Sequence, residues 1–165
     1  MRLQDKVAII TGASTGIGRA IAMAMAREGA SVVVDYVGRP DDANAVVAQI
    51  TQQGGKALAV AADVSDSAQV AQLLQQAVGQ FGRLDVLVNN AGIEEKHPFL
   101  EVPRAVWDKI IAVDLTVPWL CAQAAAQQMV SQGGGGRIIN ISSIHEDLPM
   151  PTTARIVPRR AAYAC

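Results

Sequence analysis

The chain has 165 residues, 50% of them hydrophobic and 18% charged, and its 14 Lys and Arg nearly balance 15 Asp and Glu, for a formal net charge of −1. That composition describes one globular domain and excludes a disordered chain, a long coiled coil and a nucleic-acid binder held by bulk positive charge. A chain of this length buries roughly 70% of the surface its unfolded form exposes, so its core requires neither a metal nor a disulfide.

The first six residues carry charges of both signs and run straight into a strand-like segment, unlike a secretory leader. Short apolar runs rich in β-branched residues predict strands at 7–10, 31–35, 57–61, 84–89 and 137–141. Ala-rich stretches of helical period predict helices at 16–28, 42–53, 67–81 and 103–130. Gly29, Gly54, Gly82 and the glycines of 133–136 stand where helix C-termini need them, and Pro118 is expected to kink or divide the last helix. Strands without polar alternation, joined by helical crossovers, imply a parallel sheet covered on both faces. The fold class is therefore α/β, a doubly wound Rossmann-like sheet. After 141 too few residues remain for a further crossover helix and strand, so the final elements of such a sheet are expected to be lacking. No transmembrane span is expected, because the uncharged stretch 115–136 is interrupted by Pro118, glutamines and glycines. Cys121 and Cys165 form no zinc pattern and fit a reducing, cytoplasmic setting. From Thr152 onward the chain carries Arg155, Arg159 and Arg160 but no acid and no clear period. The expected division is thus an incomplete dinucleotide-binding domain over 1–151 and an aberrant basic tail over 152–165.

Directly after the first strand come Thr11, Gly12, Ala13, Ser14, Thr15, Gly16, Ile17 and Gly18, opening into a helix. Glycines here have separate physical tasks: a tight turn, close backbone approach to a pyrophosphate, and packing of helix against strand. The helix N-terminus adds unpaired N–H groups and positive potential for phosphates. A glycine-rich turn without a ligand is the plainer alternative. At the end of the fourth strand stand Asn89, Asn90, Ala91 and Gly92, which alone would also read as a turn. Together the two segments mark the switch point at which ligands bind in open α/β sheets.

With these motifs the sequence resembles the short-chain dehydrogenase/reductase family from Lys6 to Pro151, and its segments beginning at Gly92, Ile111 and Ile138 are most similar to the glucose 1-dehydrogenase branch. The resemblance implies an oxidoreductase that moves a hydride between NAD(P) and an alcohol or carbonyl, including a sugar such as glucose. It implies pyrophosphate and ribose contacts from Gly12, Ser14, Thr15, Gly16, Ile17 and Gly18, and adenine contacts from Asp63 and Val64. It also implies contacts beneath the nicotinamide ribose from Asn90, Ala91 and Gly92. The place where NAD-preferring relatives carry an acid falls on Tyr36, whereas Asp35, one residue early, should face the other side of the sheet. Arg39 suits a 2′-phosphate, giving a slight lean to NADP, although a solvated loop arginine is the plainer reading. Family members are commonly homotetramers acting on small molecules, with neither nucleic acid nor membrane as partner.

For chemistry, the family pairs a Tyr base with a Lys four residues later that lowers its pKa from about 10. A Ser holds the substrate oxygen and an Asn orders a water. Ser143 matches that serine, with Ser142 structural, and Asp114 stands where the Asn is expected, an isostere that accepts but does not donate when ionised. The Tyr position falls on Ile156; Tyr163 comes seven residues too late, and no lysine follows Lys109. His145 and His97 read as loop residues, with Glu94 and Glu95 as solvated neighbours. Permitted codons for residues 155–162, read one base out of register, give Tyr-Cys-Ala-Ser-Lys-Gly-Gly with the Tyr at the family's spacing from Ser143. The expectation is a frame-shifted and truncated dehydrogenase without its Tyr/Lys pair and without activity. The alternatives are a non-catalytic NAD(P)-binding module, an inactive fragment, and a natural basic tail.

Overall fold

The computed structural model describes residues 1–95 and 97–143, with Phe99 traced by its backbone alone. Strand β1 (Val7–Ile10) is buried at every position, as the central strand of a sheet covered on both faces must be. It pairs in parallel with β2 (Ser31–Tyr36) on one side and β4 (Val86–Asn89) on the other. Outside these lie β3 (Lys56–Ala61) and β5 (Arg137–Asn140), giving the order β3-β2-β1-β4-β5. The strand order reverses between β1 and β4, which leaves a crevice at the carboxyl ends of these parallel strands.

Alternate residues of each strand feed opposite layers. Ala8, Ile10, Val32, Val34, Val86 and Val88 pack with Ala22 and Ala26 of α1 (Gly16–Arg27) and with Val46 and Ile50 of α2 (Pro40–Gln52). Ile9, Val33, Val60 and Leu87 pack with Leu73 and Leu74 of α3 (Ser67–Phe81). The same layer takes Cys121, Ala125 and Met129 from helix α5 (Val117–Ser131). Each buried Val, Leu or Ile contributes about 1.5–3 kcal/mol relative to an exposed one, and apolar residues on both faces explain why these strands lack polar alternation.

Several expected boundaries move for identifiable reasons. β4 begins at Val86, not at residue 84, because the Asp85 carboxylate takes the Val7 N–H at 3.0 Å and both Nε and Nη2 of Arg83 at 2.8 Å. α2 begins at Pro40, where the fixed φ of proline suits a first helical position. Helix 103–130 is divided as Pro118 required, but it does not break: α4 (Arg104–Ile111) passes through a π-helical turn (Ala112–Thr116) into α5. A proline nitrogen cannot donate one turn back and its ring needs room, which the wider π turn supplies. By length and composition alone, the continuous helix Arg104–Ser131 is apolar enough to cross a membrane. Val117, Cys121, Ala125 and Met129 instead set one side of it into the core. His145, Ile156, Tyr163 and the tail 152–165 lie outside the described residues, as do the domain boundary at 151 and the shifted reading frame.

Candidate functional site

The glycine-rich turn and the strand-four segment are locked together by backbone-directed bonds. Thr11, at the end of β1, accepts the Asn90 and Ala91 N–H groups on its hydroxyl oxygen, both at 3.0 Å, and its own amide donates to the Val88 carbonyl at 3.0 Å. Asn90 returns the contact, its Nδ2 donating to the carbonyls of Thr11 at 2.9 Å and Gly12 at 3.2 Å. The close fit requires glycine at position 18, where a Cβ would lie 2.5 Å from both Asn90 Nδ2 and the Gly12 oxygen. Gly16 differs: its φ is +56°, nothing stands within 4 Å of a Cβ placed there, and its backbone faces open space. The N-cap Thr15 makes no side-chain cap bond and the first turn of α1 holds no acid, so its leading N–H groups have no side-chain acceptor.

These elements line a cavity of about 830 Å³ at the carboxyl ends of the strands. Gly12, Ser14, Thr15, Gly16, Ile17, Gly18, Arg39, Asp63, Val64, Asn90, Ala91 and Gly92 all reach it. The turn after β3 is shaped by Asp63, whose Oδ1 accepts the Ser65 amide at 2.9 Å and hydroxyl at 2.6 Å. Arg39 sits at the mouth with its side chain 73% exposed, 3.4 Å from Asp42. Sequence reasoning passed over Val37, Ile93, Lys109 and Ile141, which also line the cavity. A glycine motif carries no signal for such residues, because distant segments bring them together.

Asp35, on the opposite face of the strand from Tyr36 as alternation requires, also reaches this cavity. Its Oδ2 accepts the Gly12 N–H at 3.1 Å and its carbonyl accepts the Ala13 N–H at 2.7 Å. The carboxyl is 1% exposed, and burial pushes its pKa up to about 7 against the opposing pull of the Gly12 and Tyr36 amides. Tyr36, where the acid of NAD-preferring relatives was expected, packs against the α1/α2 layer.

Asp114 lies buried in the π turn, its Oδ1 accepting the Ile93 N–H at 2.9 Å, so it fastens the segment after Gly92 to the helix. Ser143 is half-buried beyond β5 and does not line the cavity. Glu95 is more than a solvated neighbour: it takes Lys109 Nζ at 3.0 Å and lies 3.6 Å from His97, and Lys109 holds its carboxyl below the usual range. The Cys121 thiol is buried beneath the site and pushed up to about 12 by burial and by the nearby Asp35, so it stays protonated.

A doubly wound parallel sheet with an interlocked glycine turn at its switch point defines the Rossmann-like class of architecture. The chain belongs to the short chain dehydrogenase family, whose model matches residues 6–155. It is 50% identical over 153 residues to an uncharacterised oxidoreductase of Methylorubrum extorquens, covering 93% of this chain and 60% of that protein. With an L-rhamnose 1-dehydrogenase (NAD(P)(+)) of a Sphingomonas species it shares 44% over 142 residues, covering 86% of this chain and 56% of that one. A short chain dehydrogenase from Burkholderia cenocepacia, solved in complex with NADP, superposes with a TM-score of 0.91 at 35% identity, covering 99% of this chain and 66% of that one. The chain therefore spans about 60% of the length of these curated relatives.

Proposed function

We propose that this chain binds a nicotinamide dinucleotide in the cavity between residues 12–18 and 90–92, as the cofactor-holding part of an oxidoreductase acting on a hydroxyl or carbonyl. The observation that carries this reading is the mutual lock of Thr11 and Asn90, which brings two distant glycine-containing segments to one cavity with open backbone at Gly16. The residues present fit such a group: uncapped N–H groups of α1 suit a pyrophosphate, and Asp63 with Val64 forms a wall on the side where an adenine would lie. The dinucleotide supplies hydride acceptance and donation when bound. Asn90, Ala91 and Gly92 form the floor beneath a nicotinamide ribose, and the family resemblance gives Ser143, outside the cavity lining, the task of holding the substrate oxygen. Asp114 orients the 90–93 segment by holding the Ile93 amide.

NADP is the favoured form. Arg39 lies at the cavity mouth, and its exposed pairing with Asp42 is worth at most about 1 kcal/mol, readily exchanged for a 2′-phosphate. The substrate class is a small alcohol or sugar. The name of the Sphingomonas relative supports a sugar; for glucose in particular only the sequence motifs speak. Cytoplasmic location and assembly into tetramers are part of the same proposal.

The base and its lysine are not among these 165 residues at the family's spacing, so the chain as given binds cofactor without turning it over. A reading frame shifted by one base after Pro151 would supply both at the family's spacing. Two experiments test the proposal. Thermal melts titrated with NADP and NAD should show ligand-dependent stabilisation, larger for NADP; no shift with either rejects the site. Resequencing across codons 148–170 should reveal one missing base, and sugar-dependent reduction of NAD(P) by the 165-residue chain would contradict the inactive reading.

A further inference from the structure

Asp35, like Asp114, is a buried carboxylate that accepts a backbone amide on one oxygen, and unlike Asp85 it carries no ion pair among the described residues. Asp85 is paired with Arg83 and Lys6, and Asp114 receives the Ile93 amide. Asp35 has no cation in ion-pair contact, and its Oδ1 is buried without a hydrogen-bond partner, while Oδ2 holds the amide of the first glycine of the turn. The surroundings oppose its charge. Asp63, beyond β3, adds a second negative group, and Cys121 of α5 is a neutral thiol. The cations on the cavity wall answer other acids: Arg39, ahead of α2, pairs with Asp42, and Lys109 of α4 pairs with Glu95. An uncompensated carboxylate in such a site is expensive, and neutralisation by a proton is the usual resolution.

Resting on the reading of this cavity as a dinucleotide site, we propose that Asp35 is a proton-controlled positioning residue. It holds the Gly12 amide in either protonation state, but the turn accepts a pyrophosphate when Asp35 is neutral, so that nucleotide binding takes up one proton from solvent. The physical reason is proximity of like charge: a dinucleotide at the turn brings two negative phosphates toward a carboxyl tethered to that turn. Burial pushes its pKa up to about 7, within reach of physiological pH. The proton and the nucleotide are then reciprocally linked, and each favours the other's binding.

The test uses NAD, because the 2′-phosphate of NADP titrates in the same range, near about pH 6. In the whole chain the Gly12 amide resonance should titrate with a midpoint between about pH 6 and 8, and Asp35→Asn should abolish that titration. The Kd for NAD should rise about tenfold from pH 6 to pH 8 in the parent chain, and less than about twofold in Asp35→Asn, which keeps the acceptor for Gly12 and cannot ionise. A flat Gly12 titration in the parent chain overturns the proposal even if the variant folds poorly. A pH-dependent Kd that survives Asp35→Asn overturns it too, by assigning the proton to another group. NAD binding with a flat pH profile sinks the role of Asp35 and leaves the site standing, whereas no binding at any pH rejects the site and the linkage with it.

Discussion

At the scale of single residues, Gly18 and Asp35 carry the sharpest consequences. A methyl group at position 18 meets Asn90 Nδ2 and the Gly12 carbonyl at 2.5 Å, and the carbonyl is backbone that cannot swing aside. Gly18→Ala should therefore open the Thr11–Asn90 lock and lower dinucleotide affinity at least about tenfold, read by calorimetric titration, because a misplaced turn misdirects its amides. For Asp35 the sign follows from linkage. Its folded pKa of about 7 lies above the ordinary value of 3.8, so the folded state holds the proton more tightly than the unfolded one. The stability this proton contributes is fully present below the ordinary value and is lost as pH rises through the folded one. Between pH 5 and pH 8 the parent chain should lose about 2–3 kcal/mol relative to Asp35→Asn, measured by urea unfolding at each pH. An unchanged difference between the two proteins across that range would show that Asp35 is ionised throughout.

The elements were legible to different degrees. Residues 7–10 and 31–35 announce strands because both faces of a central parallel strand are apolar, and β1 matches the expectation residue for residue. Leu84 and Asp85 belong to the same apolar-looking run, yet Asp85 uses its side chain on the Val7 amide, a tertiary bond that local sequence cannot reveal. The effect of Pro118 was legible as an interruption but not as a π turn, since its outcome depends on what meets the helix there. Asn89 is that partner: its Nδ2 donates to the Pro118 carbonyl at 3.2 Å and to Asn140 Oδ1 at 2.9 Å, joining β4, α5 and β5. Asn89→Ala should destabilise the fold by about 1–3 kcal/mol in chemical denaturation, as the buried Pro118 carbonyl loses its donor. Strand alternation sets Asp35 on the opposite face from Tyr36, as expected, but does not reveal that the glycine turn folds back to meet it.

Across the whole molecule, the sheet is asymmetric about its functional crevice. On one side β2 and β3 are backed by α1 and α2; on the other, β5 is the outermost strand among the described residues and every one of its residues is exposed, with Ile138 38% and Ile139 41% accessible. An apolar edge strand of this kind invites pairing with further chain. The glycine turn and the Asn90–Gly92 segment are nevertheless joined without it, since β1, β2, β4 and the turn before α1 meet through bonds internal to residues 7–92, although Ile141, just after β5, also lines the cavity. The glycine turn and the Asn90–Gly92 segment were readable because a tight turn and close backbone approach impose glycine at set spacings. Of the positions the resemblance assigns to chemistry, Ser143 was readable as a match and Asp114 and Ile156 as departures. The measurement that tests the account most directly is an amide chemical-shift map of the 165-residue chain titrated with NADP. The account predicts saturable shifts centred on Gly12, Gly16, Gly18, Asp63 and Ala91; shifts confined to other surfaces, or none at millimolar nucleotide, would contradict it.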